Sequence, residues 1–103
     1  MKIIRNNLIP FKGFSAINLF GVMFARKNAH ISQRTIRHEE IHTAQMKELL
    51  YVFFYLLYIL NWVVNLFCHE EAYRNIVFEK EAYKNDDDVN YLKTRKKYNW
   101  INL

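Results

Sequence analysis

Residues 37–42 read RHEEIH, and the rest of the chain is best understood around this stretch because it contains the pattern H-E-x-x-H. On a helix, residues four apart lie on the same face, one turn from each other. His38 and His42 can therefore direct two imidazoles at one point, as a tetrahedral zinc ion requires. Glu39 lies beside that face, where its carboxylate can take a proton from a zinc-bound water. The motif predicts a zinc site with two histidine ligands and a general base.

A third ligand is needed, because a catalytic zinc usually has three protein ligands and one open position. Without it, the alternative interpretation is a charged, solvated helix face. A glutamate on a later helix would complete a two-His-one-Glu set, and the candidates are Glu70, Glu71, Glu79 and Glu81. Glu79 and Glu81 are two apart and point to nearly opposite sides of a helix, so only one of them can be the ligand.

The composition indicates one folded, mainly helical domain over residues 1–103. The chain is 51% hydrophobic and 17% aromatic, with two Gly and one Pro, which favours long helices over a turn-rich fold. The single cysteine, Cys68, cannot form an internal disulfide. The net charge of +5 suits nucleic acid or an anionic membrane, but no nucleic-acid motif accompanies it, and we expect no nucleic-acid partner. No signal peptide is recognised, so a cytoplasmic or membrane-associated location is expected.

Two short apolar runs, around residues 14–18 and 22–25, lie on either side of Gly21 and predict a β-hairpin. The edge of such a hairpin can hold an extended peptide, or the sheet serves only to pack the zinc helix. The polar loop that follows contains Ser32 and Thr35, either of which can cap a helix predicted from about Gln33 to Lys47.

Residues 49–68 read LLYVFFYLLYILNWVVNLFC and carry no charge. Twenty helical residues reach roughly 30 Å, the thickness of a hydrocarbon core. A straight span, however, would separate His38 and His42 from any ligand further along the chain. We therefore expect the segment to bend back near Asn61–Asn65, with some contact to a membrane surface or a partner protein. The alternatives are a buried or interfacial helix, or the absence of a metal site.

The last third of the chain predicts a helix over residues 69–85, followed by an acidic triplet at 86–88. The triplet is expected to form a solvated turn, and the alternative is that it binds a cation. The tail mixes basic residues with Tyr91, Tyr98 and Trp100. Its aromatic side chains are expected to pack against the domain, and its charges to stay in water.

The segments HEEIHTAQ and AYRNIVFEKEAY, with the apolar stretch between them, resemble the gluzincin-type zinc metallopeptidases over about residues 35–100. Small uncharacterised metallopeptidases of Bacteroides-like bacteria are the most similar. In such enzymes the glutamate ligand stands three residues before an alanine, which transfers to Glu79 and Ala82. Tyr83 stands where an aspartate is common, and Glu81 remains the second choice.

The resemblance implies a minimal zincin-like domain that binds Zn²⁺ and hydrolyses peptide bonds in a peptide or protein substrate. Glu39 would be the general base and acid, and Tyr73 or Tyr83 would be a donor to the developing oxyanion. The expected fold is α+β and mainly helical, with an N-terminal β-hairpin, three helices, and the zinc helix packed against the glutamate-bearing helix. The alternative is a non-enzymatic membrane-associated or interaction protein with a structural or degenerate metal site.

Overall fold

A three-stranded sheet precedes the helices in the computed structural model, which describes residues 1–8, 15–68 and 72–102. The elements are β1 (Ile3–Asn6), β2 (Ala16–Leu19), β3 (Val22–Arg26), α1 (Gln33–Glu48), α2 (Val52–Cys68), α3 (Val77–Asn85), α4 (Tyr91–Thr94) and a 3-10 turn (Asn99–Asn102). The α+β, mainly helical fold is confirmed. The start of the predicted hairpin at residue 14 and the ligand candidates Glu70 and Glu71 lie outside the described residues.

The hairpin forms where the sequence predicts it. β2 and β3 pair antiparallel, with Leu19 opposite Val22. The two residues between them, Phe20 and Gly21, both have positive φ, 52° and 88°, as a type I′ turn requires. β1, which the sequence did not predict, pairs parallel with β3, so the strand order is β1-β3-β2 and β2 is an edge strand.

The chain reverses direction between α1 and α2, whose axes are bent by 111°. Leu50 and Tyr51 both have positive φ there, 54° and 62°. The Met46 carbonyl at the end of α1 accepts the Tyr51 N–H at 2.7 Å and the Leu49 N–H at 3.2 Å, so the turn satisfies this carbonyl twice. The predicted bend near Asn61–Asn65 is wrong, because the chain turns before α2 and after it. Among the described residues, no single helix is long and apolar enough to cross a membrane.

Asn61 and Asn65 have a different role from the predicted one, since both lie within a continuous α2 and bond to the chain that follows it. Asn61 Oδ1 accepts the Val77 N–H at 2.8 Å, and Asn65 Nδ2 donates to the Ala72 carbonyl at 3.2 Å. Val77 is the first residue of α3, whose N-cap residue makes no side-chain capping bond. Asn61 therefore supplies from a neighbouring helix the acceptor that a capping residue normally provides.

The helix predicted over 69–85 begins only at Val77, because residues 72–76 turn to lead the chain back towards α1. It ends at Asn85 as predicted, and α3 packs against α1. Trp100 packs on Phe78 with ring centroids 5.0 Å apart and Tyr91 is buried, as expected, whereas Tyr98 is 44% exposed. Arg95 is an exception to the expectation that tail charges stay in water: its side chain is buried.

Replacement of Asn61 by Leu is expected to lower the free energy of unfolding by about 1–2 kcal/mol, because the Val77 N–H loses its acceptor. Urea denaturation monitored by circular dichroism measures the change. Ile59→Leu is the matched control, since Ile59 is exposed on the other side of α2 and the effect there should stay within about 0.5 kcal/mol. Equal stability of the two variants would contradict the capping role.

Candidate metal centre

Three side chains from two helices meet at one point. His38 and His42 come from α1, and Glu79 comes from α3. Glu79 Oε1 lies 3.0 Å from the Nε2 atom of each histidine, and the two Nε2 atoms are 3.2 Å apart. A tetrahedral metal with ligand bonds of about 2.0–2.1 Å has ligand atoms roughly 3.3 Å from one another. The triangle is therefore close to the size that a bound metal ion requires.

The second ring nitrogen of each histidine has an acceptor of its own. His42 Nδ1 lies 2.7 Å from Gln45 Oε1, and the orientation of that amide is fixed because its Nε2 donates to the Phe78 carbonyl and to Glu81 Oε1, both at 3.0 Å. His38 Nδ1 lies 2.9 Å from Asp86 Oδ2. Both Nδ1 atoms therefore carry the proton in the neutral rings, and both Nε2 lone pairs point towards Glu79.

Three electron-pair-bearing atoms held this closely repel one another unless a cation or a proton lies among them. Burial of the His42 ring lowers its pKa, but the hydrogen bond and charge of Glu79 outweigh burial and raise the pKa to about 9. Burial would raise the pKa of Glu79, but its hydrogen bonds with His38 and His42 hold it well below the usual range. The donor set thus has the chemistry of a cation site, in which a metal ion replaces a shared proton.

Contacts behind the triad restrict how each ligand can move. The Tyr58 hydroxyl donates to Glu79 Oε2 at 2.6 Å, which leaves Oε1 as the oxygen that faces the histidines. The Tyr83 ring packs edge-on against His38, with centroids 4.6 Å apart. Asp86, besides its contact with His38, accepts from Arg34 Nε at 2.7 Å. Such outer contacts fix the ring orientation and tautomer of metal ligands.

Asp86 is a residue of the candidate site that the sequence did not predict. The triplet 86–88 was expected to be a solvated turn, and Asp87 and Asp88 are exposed, but Asp86 is only 4% exposed. No periodicity in the sequence points to it. The only usable signal is chemical: a metal-binding histidine needs an acceptor for its other nitrogen, and a carboxylate is a frequent one.

Glu81, the second choice for the third ligand, faces away from the histidine pair. Its carboxylate is fully buried, accepts from the Tyr91 hydroxyl at 2.6 Å and pairs with Arg95 at 2.5 Å. Arg95 also pairs with Glu48 at 2.9 Å. The two glutamates of α3 lie on different sides of the helix, as their spacing predicts, and only Glu79 reaches the triad.

A groove of about 660 Å³ opens beside the triad, with Glu39, His42 and Glu79 in its lining. The four residues of β2 form one wall, and the aromatic residues Phe54, Tyr55, Tyr58 and Tyr73 line it further. Burial raises the pKa of Glu39, although the charges of the two histidines oppose the effect. The carboxylate next to the triad therefore binds a proton more readily than an exposed glutamate does.

The edge strand β2 is held against α1 by Asn18. The Asn18 amide donates to the Glu39 carbonyl at 2.9 Å and to Thr43 Oγ1 at 3.0 Å. The backbone carbonyl of Asn18 accepts from the Tyr55 hydroxyl at 3.3 Å. The outer edge of β2 therefore faces α2 across the groove.

Comparison of the chain with family models, with curated proteins and with solved structures finds no match. The resemblance to gluzincins remains a prediction from the motifs, and the function has to be inferred from the residues of the site.

Two substitutions on α3 distinguish the metal ligand from its neighbour. We expect Glu79→Gln to lose bound metal, whereas Glu81→Gln keeps the metal stoichiometry but loses roughly 3 kcal/mol of stability, because Arg95 loses a buried partner. Metal analysis after dialysis and urea denaturation measure the two quantities. Loss of metal from Glu81→Gln together with its retention by Glu79→Gln would reverse the assignment.

Proposed function

We propose that this chain is a zinc-dependent metallopeptidase in which His38, His42 and Glu79 hold the ion and Glu39 is the general base. The observation that carries the proposal is the triangle of ligand atoms, 3.0–3.2 Å on each side, beside a groove whose lining includes the carboxylate of Glu39. Two imidazoles and one carboxylate at this spacing suit zinc, and three protein ligands leave a fourth position for a reactant.

Zinc in such a site supplies Lewis acidity, which lowers the pKa of a water molecule towards about 7 and polarises a carbonyl oxygen. The residues of the chain provide the proton transfers. Glu39 accepts the proton of the attacking water and delivers it to the leaving amine. Burial raises the pKa of Glu39 from its ordinary value towards neutral pH. This change helps the carboxyl group both to accept a proton and to release it.

The groove suits an extended peptide. Among the described residues, main-chain groups on the edge of β2 other than the Asn18 carbonyl, which accepts from Tyr55, can pair with a substrate as a further strand. Neighbouring walls formed by Ile17, Leu19 and Phe54 suit an apolar side chain. Tyr73 lines the groove, and burial together with the charge of Glu79 raises the pKa of its hydroxyl. The hydroxyl therefore keeps its proton and can donate a hydrogen bond to an oxyanion. Tyr83, the other tyrosine considered, packs against His38 instead.

The base assignment is tested by Glu39→Gln, with Glu40→Gln as the matched control one residue along the same helix. Glu39→Gln should retain zinc and lose a factor of about 10²–10⁴ in turnover, because the water loses its proton acceptor, whereas Glu40→Gln should stay close to the unmodified protein. Mass spectrometry of products from a mixture of unstructured proteins measures cleavage. Cleavage by Glu39→Gln at the unmodified rate would refute the assignment.

Removal of the metal is a second test. We expect a chelator to abolish cleavage and to lower the melting temperature, because a ligand that binds only the folded state stabilises it, and added zinc should restore both. Differential scanning calorimetry and the cleavage assay follow the two effects. Restored stability with no cleavage at any stage would favour the alternative function, a structural metal site in a non-enzymatic protein.

A further inference from the structure

The outward side of α2 is an apolar surface without a partner among the described residues. Only Phe54 and Asn65 of this 17-residue helix are buried. Eleven of its apolar side chains are more than a third exposed, among them Leu56, Leu60 and Phe67 at 58%, 59% and 87%. The helix carries no charged residue. Left in water, such a surface would be costly, so something covers it.

The shape of this surface indicates what kind of partner covers it. At about 100° per residue, the exposed apolar positions of α2 spread over roughly 220° of the helix circumference. The protein side is a narrower strip that contains Phe54, Tyr58, Asn61 and Asn65, and near the start of the helix Tyr55 also contacts the protein, through the hairpin. One helix packed against another buries a stripe of about 100°. A single protein surface, a second copy of this chain included, would leave much of the arc in water, whereas a fluid apolar medium covers all of it.

The area of the surface is large enough for either a bilayer or a second copy of the chain. Eleven side chains at roughly 100 Å² each give on the order of 1,000 Å², about twice the largest apolar patch of a typical monomer. That area would suffice for a dimer, in which each partner buries about 800 Å². A dimer interface is however a patch of limited width. The width of the exposed arc, and not its area, therefore favours a fluid apolar medium over a second copy of the chain.

Two exposed lysines lie close in the chain to a tryptophan that faces α2. Leu57, Leu60 and Val64 of α2 line a second groove of about 330 Å³ together with Val77 and Trp100. Lys96 and Lys97, both exposed, precede Trp100 in the chain.

Exposed lysines extend along α3 as well. Lys80 and Lys84 lie three and seven residues after Val77 and therefore continue its face of the helix. With a net charge of +5, this arrangement is complementary to anionic lipid headgroups beside an apolar phase.

We propose that α2 lies in the plane of an anionic lipid bilayer, with its exposed arc in the acyl region and the adjacent lysines at the headgroups. The helix lies along the surface because the domain is attached to it over its whole length, from Phe54 near one end to Asn65 near the other. Interfacial helices of this kind bind through buried apolar area and attraction to anionic lipid. The proposal does not depend on the metal site.

Flotation of the full chain with vesicles tests the proposal. The protein should float with vesicles of phosphatidylcholine that contain 30% phosphatidylglycerol. Leu56→Glu/Val63→Glu, in the middle of the arc, should reduce the bound fraction at least tenfold. Val89→Glu/Leu92→Glu is the matched control, since it adds the same charge at exposed apolar positions outside α2 and should float like the unmodified protein. Equal flotation of both variants would overturn the proposal.

The lysines have a separate test. Lys96→Gln/Lys97→Gln should lower the partition coefficient on anionic vesicles by roughly fivefold for each lysine, and should have little effect on pure phosphatidylcholine. Equal losses on both kinds of vesicle would overturn the part of the proposal that assigns these lysines to anionic headgroups.

A third measurement uses a tryptophan of the apolar arc as the probe. Trp62, 42% exposed on α2, should be quenched by lipids brominated along the acyl chain, and Trp62→Phe should remove that quenching. Absence of quenching would refute insertion. A dimer in solution that neither binds vesicles nor shows quenching, and that Leu56→Glu/Val63→Glu dissociates, would assign the surface to a second copy instead.

Discussion

The convergence of two imidazole lone pairs and a carboxylate oxygen within 3.2 Å is the constraint on which the rest of the structure depends. Such a group is stable only with a positive charge at its centre and with the outer atoms of each ligand fixed. Gln45 fixes His42 and is itself held by Glu81, which binds Arg95. Arg95 then reaches Glu48 at the end of α1. A network of hydrogen bonds and ion pairs thus joins the candidate metal centre to the C-terminal segment.

Two residues with strained backbone conformations form the turn that positions one wall of the groove. Leu50 and Tyr51 have positive φ although neither is glycine, which costs on the order of 1–3 kcal/mol for each residue. The bend they form brings α2 across from β2. Tyr55 of α2 then bonds to the hairpin, because its hydroxyl accepts the Phe20 N–H at 3.0 Å and donates to the Asn18 carbonyl. The strained turn and this contact together set the distance between the two walls of the groove.

The two sides of α2 have separate roles. One side contributes Phe54 and Tyr58 to the groove and, through Asn61, caps the helix that carries Glu79. The other side is the apolar surface for which we propose a lipid partner. If both proposals hold, the groove lies next to the bilayer. The substrate segments that reach the groove most easily are then those close to the membrane surface. The asparagines belong to the first role, which explains their presence in an otherwise apolar helix.

The sequence by itself determined the features that depend on local periodicity. The four-residue spacing of His38 and His42 and the opposite directions of Glu79 and Glu81 follow from helix geometry alone. The sequence offered Ser32 and Thr35 as caps, and the structure selects Ser32. The tertiary structure decided the rest: the bend at Leu50, the parallel pairing of β1 and the burial of Asp86. No Gly or Pro marks that bend, because contacts distant in sequence stabilise it. A periodic pattern fixes which side of a helix a residue occupies, whereas the approach of one helix to another depends on every turn between them.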